Sequence, residues 1–285
     1  MMLIASLIFN LLVFLFFRLA PMNDEERPAV IAVNYIAAFL WAFFSMPTAA
    51  TSLTDLGPWL PYALGLGVLF IATFIGISKS VSENGMGITA TAGKMSLVIP
   101  MLVMAFATSQ GMHILQWAAL ALALGGIYLQ SGRAEGEKKL YLPLLLAVFL
   151  GSGIIDTLFS WVSHHGLGSE MNAFFNAVIF GLSGILGLIL LLIRRPKIRW
   201  GKAVLLGGVL GSINFGSVFY YLNSLNPKLS GFSTATALGM NNMGQVVGAA
   251  LLGFFFFKEP MHPRQIAGLV CCLLALFLLG YVGGV

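Results

Sequence analysis

GITATAGKMSLVIP, residues 87–100, is the stretch that decides how this chain is read. It lies in an apolar run long enough to cross a membrane, yet Lys94 sits inside that run. The pattern returns as GFSTATALGMNNMGQ, residues 231–245. There the lysine is gone, and Asn241, Asn242 and Gln245 supply the polarity. Polar groups inside apolar spans are expensive and usually face protein or water. Two related helices with polar middles, one in each half, point to a transport site at a repeat interface.

The rest of the composition agrees. Of 285 residues, 59% are hydrophobic and 9% are charged, against about 25% charged in a soluble domain. So much apolar surface cannot be hidden in water, and the chain reads as a polytopic membrane protein whose surroundings are a lipid bilayer. The net charge of +5 reads as orientation signal in short loops, and no nucleic-acid partner is expected. Cys271 and Cys272 are adjacent in an apolar run and suggest neither a disulfide framework nor a metal site. Residues 1–18 lack a basic leading region and read as a first span, not as a signal peptide.

A spanning helix needs about 20 apolar residues. Ten runs qualify: 2–17, 29–46, 60–78, 87–107, 114–129, 140–162, 171–193, 203–222, 231–257 and 265–282. They lack strict alternation, so the expected class is all-α. The most polar stretch, SGRAEGEKK at 131–139, falls near the midpoint and reads as a linker between residues 1–130 and 140–285. The two halves share more than Thr-Ala-Thr-Ala. Met112-His113-x-x-Gln116 matches Met261-His262-x-x-Gln265, at a run boundary in both cases. Five spans per half make the second copy insert upside down, so the expected architecture is ten transmembrane helices as two inverted five-helix repeats. The loops after odd-numbered runs hold 13 of the 15 basic residues; the opposite loops hold Lys228 alone. The positive-inside rule then puts the odd loops in the cytoplasm and both termini outside.

These features resemble the drug/metabolite transporter superfamily, in its EamA-type branch. The segment Lys258-Glu259-Pro260, continuing to Arg264-Gln265 and Gly268, is similar to that family's Gly-Glu and Gln-x-x-Gly boundary between the last two helices of a repeat. The chain departs from it with Lys258 in place of the glycine, Ser109-Gln110 where Gly-Glu stands in the first half, and Asn34 where an arginine is common. The resemblance implies a central cavity lined by spans 1, 3, 4, 6, 8 and 9, with spans 5 and 10 peripheral or forming a homodimer. It also implies export or exchange of amino acids, metabolites or amphiphilic compounds in the cell (inner) membrane.

Candidate residues follow from depth. Lys94 offers a cation to an anionic group such as a substrate carboxylate; the competing reading is a lysine snorkelling to headgroups. Asp156 is the one acidic residue well inside a run and is a candidate for proton coupling, because burial favours its neutral form. Counting rise from the run starts puts Lys94 and Asp156 on opposite sides of the midplane, with depths differing by roughly 10–15 Å. Asn241 and Gln245 share a helix face, with Asn242 turned about 100° away. Amides of this kind bind substrate or glue helices together. Asn10 and Asn214, on spans 1 and 8, join the substrate-binding candidates. Pro100 removes a backbone hydrogen bond from the fourth run. No phosphate loop and no Cys/His ligand spacing is seen, so neither a cofactor nor a metal is expected.

The expected function is secondary transport of a small-molecule substrate by alternating access, without enzymatic chemistry. The competing class is a lipid-handling or structural membrane protein that has no aqueous substrate site.

Overall fold

The computed structural model describes residues 1–20, 25–46, 57–84, 86–107, 113–130, 141–194, 198–258 and 263–283. The linker expected at 131–139 lies outside them, as do Ser109, Gln110, Met112, Glu259, Pro260, Met261 and His262. Among the described residues there is no strand. The helices are α1 (Met2–Leu19), α2 (Arg27–Phe44), α3 (Leu60–Asn84), α4 (Met86–Met95), α5 (Val98–Ala107), α6 (Ile114–Gln130), α7 (Leu142–His164), α8 (Asn172–Arg194), α9 (Trp200–Leu225), the single turn α10 (Pro227–Ser230), α11 (Thr234–Phe257) and α12 (Pro263–Gly283). By length and composition, α2, α3, α7, α8 and α9 are each apolar enough to cross a membrane, and shorter apolar helices accompany them. Large apolar side chains such as Leu192, Leu205 and Phe255 stand mostly exposed. Only a lipid surrounding makes such faces favourable.

The chain forms two compact units. One contains residues 1–75 and 162–224, the other 76–161 and 225–285. Each unit therefore draws helices from both halves of the sequence. Compactness and sequence halves divide the chain in different ways.

In the first unit, α2 is the central helix. Tyr35 is wholly buried and donates its hydroxyl hydrogen to the Phe70 carbonyl at 3.1 Å. Its ring packs on Phe70, Phe74 and Phe180. Helix α8 runs antiparallel to α2, with Gly181 against Phe39, Gly184 against Ile36 and Gly187 against Ala32. A Cβ on Gly187 would stand 3.1 Å from the Ala32 Cα, so the two backbones touch there. On the other side α9 runs parallel to α2. Gly207 meets Val30 and Val33, and Gly211 meets Asn34 and Ala37. Small residues four apart thus act as the packing groove that their spacing suggests. Helix α1 lies antiparallel to α9, with Phe9 over Gly216 and stacked on Tyr220 at 5.5 Å. At the shared end of α2 and α9, Lys202 Nζ reaches buried Glu26 at 2.7 Å, with Arg199 3.8 Å from the same carboxylate.

In the second unit, α6 and α12 are antiparallel partners. Gly126 faces the Gly268 carbonyl and Cys272, each 2.7 Å from where a Cβ would stand. Arg264 lies over the Tyr128 ring at 5.2 Å. Cys272 is fully buried in this seam. Helix α7 runs along α4 and α5, setting Val148 and Ser152 against Gly93, and Gly153 against Ile99. Gln116 at the start of α6 donates to the Thr236 hydroxyl at 3.1 Å. The two motifs that recur in the sequence therefore meet one another, one from each half.

The ends of α11 show why its sequence reads as it does. Gly231 takes φ +77° and closes α10, and the Ser233 hydroxyl then accepts from the Thr236 amide at 3.2 Å as an N-cap. At the other end Lys258 takes φ +51° and its amide donates to the Gly253 carbonyl. This is the position where the resembling family carries glycine, and a left-handed cap is what glycine accommodates without strain. The substitution Lys258→Gly should raise stability by about 0.5–1 kcal/mol, read as a higher midpoint in thermal unfolding in detergent; an unchanged or lower midpoint would contradict this account of the cap.

Candidate functional site

The site is built on a break. The fourth apolar run is not one helix: α4 ends at Met95 and α5 begins at Val98. Pro100 supplies the reason. It has no amide hydrogen for the Ser96 carbonyl four residues back, and its ring crowds that carbonyl. Ile99 donates to the Ser96 carbonyl instead, at 2.9 Å, and Leu97 donates to the Lys94 carbonyl at 3.2 Å. The chain thus tightens to three-residue bonds for one turn. The Ser96 hydroxyl, fully buried, donates to the Gly93 carbonyl.

Lys94 stands one residue before the end of α4, half-buried. Its ammonium donates to Gln245 Oε1 and to Asn242 Oδ1, the latter at 3.4 Å. Gln245 in turn donates through Nε2 to Asn241 Oδ1. Asn242 is held from behind, since its Nδ2 donates to the Leu238 carbonyl at 3.2 Å. Asn241, Asn242 and Gln245 are all buried, at 0%, 3% and 4% exposure. The amide oxygens of α11 are therefore aimed at one cation from α4. Four of the candidates named from sequence come together here.

Asp156 belongs to the same unit as Lys94. The sequence expectation of opposite ends, 10–15 Å apart in depth, differs from the observed register. Ser152 packs level with Gly93, which leaves Asp156 one helical turn beyond, about 6 Å along α7. Rise counted from the run starts treated each run as a straight helix beginning at one plane. The broken α4–α5 and the start of α7 at Leu142 remove both assumptions.

Asn10 and Asn214 belong to the first unit. Asn10 donates to the Ser6 carbonyl at 2.9 Å and accepts from the Ser217 hydroxyl at 2.9 Å, which ties α1 to α9. Asn214 donates to Asn34 Oδ1 at 3.3 Å, which ties α9 to α2. Both make the interhelical bonds that amides commonly make in membranes. Two polar devices escaped sequence reading. Glu26, set in a loop between prolines, is buried and paired; the basic cluster at 194–202 was the available signal. Asn84 binds the backbone of Tyr141, accepting from its amide at 2.7 Å, and also donates to the Ser80 hydroxyl at 3.1 Å. Nothing in the sequence pairs residues 57 apart.

Among the described residues, helices with exposed apolar faces, one apolar run broken into two helices, and a hydrogen-bonded lysine within one unit define a polytopic membrane protein with an internal polar cluster. The chain belongs to the EamA-like transporter family, which it matches over residues 139–281, half of its length. That family is a transporter family of the drug/metabolite superfamily. An uncharacterized protein of Haemophilus influenzae is 27% identical over 98% of this chain and 97% of its own length. A solved crystal structure shares the fold with a TM-score of 0.71 at 13% identity, covering 99% of this chain and 97% of that one.

If Pro100 causes the break, Pro100→Ala restores an amide that can bond the Ser96 carbonyl. Hydrogen exchange of the amides at 97–101 should then slow by about tenfold or more. Exchange as fast as in the unaltered chain would assign the break to packing instead.

Proposed function

We propose that the protein is a secondary transporter of small metabolites carrying an anionic oxygen group, amino-acid-like compounds or organic acids, across the cell (inner) membrane. The observation that carries this reading is the half-buried Lys94 ammonium, bonded to two neutral amide oxygens from α11. A carboxylate in the place of those oxygens forms the stronger, charge-assisted bond. Membership of a transporter family supplies the context. Asn241 orients Gln245, and Asn242 is fixed by the Leu238 carbonyl, so the acceptors are positioned before any anion arrives. Asn10 and Asn214 then hold helices together and do not touch substrate.

Alternating access needs two related halves, and several contacts support an inverted repeat of residues 1–130 and 140–285. Under a five-plus-five reading, α2 is the counterpart of α8, and α6 of α12. Each pair packs antiparallel, as a two-fold axis in the membrane plane would require. The Lys94 cluster joins a third pair of counterparts, α4 and α11. The parallel course of α2 and α9 agrees with the odd number of runs between them, the third to the seventh. Lys202 and Glu26 are in contact, in keeping with one face for the segments after the first and seventh runs; that this face is cytoplasmic, with both termini outside, rests on the loop charges.

Asp156 is the proposed proton carrier. It lies on α7 about one turn beyond the level of Gly93, so that protonating Asp156 and binding an anion at Lys94 would be coupled electrostatically.

Two measurements test these roles in proteoliposomes, with uniformly 14C-labelled amino-acid and organic-acid mixtures as probes. Lys94→Ala should lower uptake by about 10- to 100-fold, the loss expected of a charge-assisted contact, while the protein still elutes as a folded species; undiminished uptake would sink the assignment. Asp156→Asn should abolish the acceleration of uptake by an imposed proton gradient. A variant that still responds fully to the gradient would remove Asp156 as carrier.

A further inference from the structure

We infer that Gln245 and Asn242 set the mode of transport: by standing in for the substrate's oxygens at Lys94, they let the empty carrier reorient, so the protein catalyses net flux and not only exchange. This inference rests on the anion-binding reading of the Lys94 site.

An ammonium inside an apolar span tolerates neither the loss of its hydrogen-bond acceptors nor the loss of its countercharge. A carrier that binds an anion with a lysine meets this problem on every empty return. When the anion leaves, the lysine must be satisfied by something else or the return step is blocked. Carriers blocked in that way perform exchange only, because just the loaded form crosses.

Here the substitute acceptors are built in. Lys94 bonds Gln245 Oε1 and Asn242 Oδ1 within one unit of the chain. Both amides come from α11, and neither is supplied by a loop that must close first. Gln245 is fixed by its bond to Asn241, and Asn242 by its bond to the Leu238 carbonyl. All three amides are buried. The empty site is thus hydrogen-bonded without any ligand.

The same geometry makes the amides competitors of the substrate. A bound carboxylate takes the two bonds, and Gln245 and Asn242 must turn away or bond the substrate's other groups. Charge-assisted bonds outweigh bonds to neutral amides, so the exchange of partners favours loading. The neutral stand-ins are weak enough to be displaced and sufficient to permit the return. A carboxylate at either position would hold the cation too tightly to be displaced, and an apolar residue would leave the cation with too few acceptors.

The test separates net flux from exchange. Proteoliposomes are loaded with the 14C-labelled probe mixtures and diluted either into probe-free buffer, for net efflux, or into buffer with unlabelled probe, for exchange. The unaltered protein should show the two rates within a few-fold of each other. Gln245→Leu should lower the ratio of net efflux to exchange by at least about tenfold, and Asn242→Leu, whose contact is longer, should lower it less. If Gln245→Leu carries neither flux, the ratio is read in Asn242→Leu. Gln245→Glu should depress both rates together. An unaltered protein that exchanges but shows no net efflux overturns the inference and leaves the anion site standing. A ratio unmoved in both leucine variants overturns it too. If the unaltered protein moves no probe in either assay, the functional reading itself fails, and this inference with it.

Discussion

A lysine ammonium inside an apolar span has to be given acceptors, and the second unit is arranged to give them. Lys94 cannot be hydrated cheaply at depth. Three features answer that need. Helix α11 presents oxygens from Asn242 and Gln245, α7 sets Asp156 about one turn from the level of Gly93, and the chain breaks directly after α4. The glycines around the site follow from the same need. Gly93 lets α7 come close at Ser152, and Gly153 lets Ile99 of α5 pack against α7. The helices that carry the site must be near one another before short polar side chains can reach.

The first unit handles buried polar groups differently. Several of its amides bond one another or a nearby hydroxyl, Asn214 with Asn34, Asn172 with Asn223 and Asn10 with Ser217, while the buried Asn176 side chain has no hydrogen-bond partner. Such pairs fix which helix faces meet, in a setting where apolar contact alone discriminates poorly. The glycine seam along α2 adds close backbone contact on two sides. This unit contains no counterpart of the Lys94 cluster among its described residues, so within it polarity acts as glue.

Much of this was legible in the sequence. The apolar runs fall close to the helices, and the polar interruptions at Lys94, Asn241, Asn242 and Gln245 marked one cluster from two distant segments. Interior polar residues are conspicuous against an apolar background. What was not legible depended on register. Asp156 sits one turn from the level of Gly93 because Ser152 packs there, and no local pattern encodes that sliding. Asn10 and Asn214 meet the same criterion as Asn242 but lie in the other unit. Their hydroxyl and amide partners are contributed by helices whose adjacency only the fold supplies. Glu26 was hidden for a related reason: a loop acid looks solvated until a basic residue 176 positions later covers it. Lys258 offered a residue type that gives no hint of a left-handed backbone.

The first unit is assembled from the two ends of a long interval of chain. Helices α1 and α2 emerge early, while α9, which supplies partners for Asn10, Asn34 and Glu26, follows some 180 residues later. At about 5–20 residues per second, the gap is on the order of ten seconds or more. For that time two amides and a carboxylate wait at or near the membrane without their final partners. The order of synthesis therefore places a demand on the insertion machinery: it must shelter the first helices, or allow them provisional partners, until the second half of the chain arrives to release them.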